Sequence, residues 1–123
     1  MRHLLAVVML LAALPATGEH EARVRGFVSG RLLAAWCERD GPRDVEACLT
    51  YLRAVYDTVA ALDFDHRLLA ERAEDVFGCI PPMVPVTELV IVYRRHASQY
   101  PDGLERQAAS VVLEALRANY ACE

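Results

Sequence analysis

Steps of three and one residue separate Val45, Cys48, Leu49, Leu52, Val55, Tyr56, Val59 and Leu62, so that they recur at spacings of three and four. That spacing places all eight on one face of a 3.6-period helix. Pro42, whose missing N–H costs nothing in a first turn, opens this helix. Ahead of it, Leu32, Leu33, Trp36 and Cys37 predict a shorter helix that starts at a Ser29 cap and stops at Asp40-Gly41. From Asp63 to Gly78 the chain is acidic and only partly periodic, with Phe64, Leu68, Leu69 and Val76 on one side of a short third helix. The prolines of Cys79-Ile80-Pro81-Pro82-Met83-Val84-Pro85 predict an extended connector. Thr87 is the expected cap of the next helix, whose run Leu89-Val90-Ile91-Val92-Tyr93 is β-branched enough to resemble a strand. Helix is the better reading, because no second strand-like run exists to pair with it. Pro101 ends this helix, and Asp102 with Glu105 forms a capping box for a last one. Leu104, Ala108, Val111, Val112, Ala115, Leu116 and Tyr120 make its apolar stripe. The fold class is therefore all-α, a small bundle of four to five helices.

The first residues change the picture. Met1-Arg2-His3, an apolar run from Leu4 to Leu14 and the small residues Ala16 and Gly18 have the layout of a secretion signal. Spanning a bilayer takes about 20 apolar residues, more than this run supplies. Cleavage is expected after Gly18, with Ala22 as the second choice. Loss of residues 1–18 from the 123-residue chain leaves 105, read as a loose leader over 19–28 and one domain over 29–123. All four cysteines, Cys37, Cys48, Cys79 and Cys122, fall in that domain. An even count in a short exported chain points to two disulfides in an oxidising compartment. Four cysteines allow three pairings. Cys37 and Cys48 flank the turn between two antiparallel helices, which favours joining them and leaves Cys79 for Cys122.

With Arg2 removed, the formal charge moves from −4 to −5. The chain has no lysine. That balance argues against nucleic acid and anionic membranes as partners of the mature protein. The chemistry of catalysis is equally sparse. Ser29, Ser98 and Ser110 are the three serines, none in a nucleophile-elbow context, and no phosphate loop or His-Glu-x-x-His is present. Oxidised cysteines are not nucleophiles. His20, His66 and His96 are scattered and the Cys37–Cys48 gap is long for a zinc site. The expectation is a non-enzyme without metal or cofactor.

A helix ending in Cys37, then Cys48, Tyr51 and Asp57 on the next, Cys79 before Pro81-Pro82, Thr87, Pro101 and a terminal Cys122 together resemble the Rap/Tai family of small periplasmic immunity proteins. The resemblance covers roughly residues 27–122. It departs from the family pattern at Ala54, where a glycine is usual, at Glu88, often a glutamine, and in the length of Asp63–Gly78. The resemblance implies a protein that binds a cell-wall amidase delivered by type VI secretion and blocks its active site, often as a homodimer. Tyr51 and Asp57 have a sufficient structural reading as packing devices. For the partner surface, the carboxylates Asp63, Asp65, Glu71, Glu74 and Asp75 are one candidate, matched to basic groups around a toxin's cleft. Their plainer reading is a solvated helix face. Tyr93, Arg94, Arg95, Tyr100 and Leu104 are a second candidate, since tyrosine and arginine are favoured interface anchors. Two other classes compete: a small acid-responsive periplasmic chaperone, which would expose apolar surface as carboxylates protonate, and a structural envelope protein without an enzyme partner.

Overall fold

The computed structural model describes residues 28–69 and 79–123. The expected signal, almost all of the leader and residues 70–78 of the expected third helix lie outside the described residues. Four α-helices follow in order: α1 (Gly30–Glu38), α2 (Pro42–Leu69), α3 (Val86–Gln99) and α4 (Ala108–Asn119), with a 3₁₀ turn at Pro101–Glu105 between the last two. The all-α bundle is as the pattern predicts, and Leu89–Tyr93 is helical.

Each helix boundary has a physical cause. At Ser29 the side-chain hydroxyl accepts from the Leu32 amide at 3.1 Å, the cap expected there. The long helix α2 runs past Leu62 to Leu69, so Asp63–Leu69 is its continuation and not the start of a separate helix. No proline or glycine stands between Arg43 and Phe77, and charged residues alone do not stop a helix. At α3 the cap is Pro85 in place of Thr87, because the Pro85 carbonyl already accepts from Glu88 N at 2.9 Å and Leu89 N at 3.1 Å. The Asp102/Glu105 capping box does not form, and α4 starts later, at Ala108. Glu105 turns instead to Arg31, 2.5 Å away. The free amides of the first turn of α4 find distant partners: Ala108 N donates to Val28 O at 2.9 Å, and the Ala109 amide donates to the Tyr51 hydroxyl. With Gly30 N donating to Arg106 O at 2.9 Å, this ties the entry of α1 to the entry of α4 in an isolated antiparallel bridge.

The core is one cluster shared by all four helices. Leu33, Cys48, Leu52, Leu89, Val92, Tyr93, Ala108, Val111 and Leu116 are buried in it, and among the described residues no charged side chain is buried. Both expected disulfides are present. Cys37–Cys48 closes the α1/α2 turn with Cα atoms 5.0 Å apart, and Cys79–Cys122 ties the connector to the chain end with Cα atoms 4.9 Å apart. No described helix is long and apolar enough to cross a membrane.

Candidate functional site

The connector 79–85 is clasped to the bundle. The Tyr56 hydroxyl on α2 donates to Pro81 O at 2.5 Å and accepts from Val84 N at 3.1 Å. Cys79 N donates to Tyr120 O at 3.1 Å, beside the Cys79–Cys122 bridge. The Tyr120 hydroxyl in turn donates to the Glu88 carboxylate on α3. With its backbone held at both ends, the connector leaves Met83 almost fully exposed at 88 %.

At the other end of α3, an open cleft of about 540 Å³ lies between the end of that helix, the 3₁₀ turn and the outer face of α4. His96, Tyr100, Pro101, Asp102, Arg106 and Glu114 line it. Its position follows from the local sequence. Pro101 stops α3, and the 3₁₀ turn at Pro101–Glu105 separates it from α4. Arg106 grips Glu114 with two parallel bonds, Nη1 to Oε1 at 2.5 Å and Nη2 to Oε2 at 2.7 Å. His96 Nε2 stands 3.7 Å from the same carboxylate. Hydrogen bonding to Arg106 holds the Glu114 carboxyl below its ordinary range and raises the Arg106 guanidinium in return. The Tyr100 ring packs at a tilt on His96, centroids 4.9 Å apart, yet remains 58 % exposed. Asp102 is exposed, and among the described residues it has no ion pair or hydrogen bond.

The expected binding residues scatter on this map. Tyr100 lies in the cleft. Tyr93 does not reach any surface: it is 1 % exposed in the core, and its hydroxyl donates to Gly30 O at 2.7 Å. Burial raises its ionisation far above the usual tyrosine range. Leu104 is likewise a core residue. Arg94 is exposed on α3 outside the cleft lining, and Arg95 reaches Asn119 at 3.4 Å. Asp63 and Asp65 belong to the last turns of α2, while Glu71, Glu74 and Asp75 lie outside the described residues. Sequence reading missed His96, Asp102, Arg106 and Glu114 as a group. The four-residue step from His96 to Tyr100 was the one local signal; the Arg106–Glu114 pair straddles a helix start and follows no periodicity.

The cleft's ionised pair is self-neutralising, all four cysteines are in disulfides, and the described residues contain no group of three or more His, Cys, Asp or Glu side chains that could hold a metal ion. These features define a small disulfide-braced helical domain. The family model for Rap1a immunity proteins matches residues 29–122, and the chain belongs to that family. No curated protein and no solved structure matches it.

Proposed function

We propose that the protein is exported to the periplasm, where it binds a cell-wall amidase delivered by type VI secretion and blocks that enzyme by covering its active site. The family match over residues 29–122 carries this reading, since members of an immunity family neutralise a cognate effector. Two disulfides in so small a domain support an oxidising compartment, as does the signal-like start at residues 1–18. The mechanism is exclusion of substrate, with no chemistry supplied by this chain. The described cleft at Tyr100 is suited to the contact, and the carboxylates Asp63, Asp65, Glu71, Glu74 and Asp75 are a second candidate on the ground of sequence alone.

The test is biochemical. Purified mature protein is titrated into a type VI cell-wall amidase, taken from the neighbouring reading frame where that frame encodes one, and peptidoglycan peptide release is followed. Inhibition complete at a stoichiometric ratio is expected. An undiminished hydrolysis rate at several-fold excess would remove the amidase from the proposal. Light scattering on the same preparation tests the homodimer.

A further inference from the structure

The ionised groups of the cleft do not cancel. Arg106 spends its guanidinium on both oxygens of Glu114, which leaves neither of them an open charge. Its Nε is also used, on Gly103 O at 3.1 Å. His96 is turned to the same carboxylate and to the Tyr100 ring. Asp102 remains, an exposed carboxylate that no described residue pairs, lining the same cleft as Tyr100, which is 58 % exposed. An aromatic face beside an unpaired carboxylate attracts a flat cation that can stack on the one and hydrogen-bond to the other. A compact ammonium satisfies the carboxylate but gains less from the ring, so guanidinium is the better fit.

We propose that this cleft takes the side chain of an arginine presented by the partner protein, its guanidinium stacked on Tyr100 and paired with Asp102. The identity of that partner rests on the immunity reading, but the cleft's preference does not. Anion binding through Arg106 is the opposing assignment, and it requires Glu114 to release its grip. Full engagement of Arg106 at 2.5 and 2.7 Å favours the cation.

The experiment has two arms. In the first, the ¹⁵N-labelled mature protein is titrated with N-acetyl-arginine amide, with no effector present. Saturable shifts confined to amides of His96 and the Tyr100–Arg106 segment are expected, absent with the neutral isostere N-acetyl-citrulline amide. Asp102→Asn should weaken the probe by about five-fold, as for loss of an exposed charged pair. Tyr100→Ala should weaken it by about two- to five-fold, as for loss of an exposed cation–π contact. Both side chains are exposed, so neither variant should disturb the fold, and Asp40→Asn controls for bulk charge. Shifts spread over the surface, equal binding to Asp102→Asn, or stronger shifts with N-acetyl-glutamate amide would each overturn the proposal. In the second arm the wild type and both variants are compared as amidase inhibitors. Weaker inhibition by both variants supports the proposal; equal inhibition by all three overturns it and leaves the amidase reading standing. If the wild type fails to inhibit, the amidase reading falls, and the first arm still decides the cleft.

Discussion

At the scale of single residues, Gly30 is the tightest point of the fold. A β-carbon there would sit 3.0 Å from both Leu104 O and Val111 Cγ2, and 3.2 Å from Leu104 Cα. The same residue donates its amide to Arg106 O and accepts the Tyr93 hydroxyl on its carbonyl, so the backbone cannot retreat without loosening buried bonds. Helix propensity by itself favours alanine over glycine by about 1 kcal/mol inside a helix. Overpacking against a backbone carbonyl costs about 1–3 kcal/mol, and it should win here. Gly30→Ala is therefore expected to lower the urea midpoint with an unchanged m-value; a variant as stable as the wild type would show that α1 can shift without penalty. Tyr93 teaches why residues of this kind are hard to place from sequence. Followed by Arg94 and Arg95, it has the look of an interface anchor, but its hydroxyl partner is 63 positions away and gives no local sign. Its ring falls on the buried face with Leu89 and Val92, which helical periodicity alone makes legible.

Among the elements, the two disulfides hold different things. Cys37 and Cys48 are buried, 8 % and 2 % exposed, inside the α1/α2 contact, whereas Cys79 and Cys122 are both exposed. Loop closure over 11 residues in one case and 43 in the other corresponds to about 3 and about 4 kcal/mol. Access runs the opposite way from that ranking. Limited thiol treatment of the native protein is thus expected to open Cys79–Cys122 first, to raise amide exchange in residues 79–85, and to leave Cys37–Cys48 intact. Alkylation and peptide mapping give the order; equal labelling of all four cysteines at the earliest time would show that the bundle opens as a whole. Both pairings were legible because turn position and chain end constrain them. The prolines likewise marked the connector, but its tie to Tyr56 needed a partner 25 residues away on α2. Cap assignment was the weak step: Thr87 and the Asp102/Glu105 box have the right local letters, yet the Pro85 carbonyl and the Arg31–Glu105 pair override them. The continuation of α2 past Leu62 is hard to read because acidic composition resembles irregularity, although no proline or glycine interrupts the chain from Arg43 to Leu69.

For the whole molecule, tyrosine hydroxyls form a second set of ties beside the sulfur bridges. Tyr51 joins α2 to the start of α4, Tyr56 joins α2 to the connector, Tyr93 joins α3 to the entry of α1, and Tyr120 joins the chain beyond α4 to Glu88 on α3. Every helix is linked to another through a phenol. All four ionise above the ordinary value of 10.0, chiefly because burial disfavours the phenolate, and Tyr120 is pushed up to about 12 with Glu88 adding to the effect. A folded-state value raised above the unfolded one means that the native state holds its proton more tightly. The associated stability is fully present below the unfolded value near 10 and is lost as pH climbs through the folded values. Deprotonation also removes the donors to Pro81 O, Gly30 O and Glu88, and so unties three junctions together. Denaturation midpoints should therefore hold steady up to about pH 10 and then fall steeply, with the near-ultraviolet phenolate band and the loss of helical dichroism rising in one cooperative step. Brief exposure keeps the disulfides intact, and helix content should return on neutralisation. Complete phenolate absorbance in a chain that remains helical would show that these hydroxyls are ornaments on a bundle held by its apolar core and sulfur bridges alone.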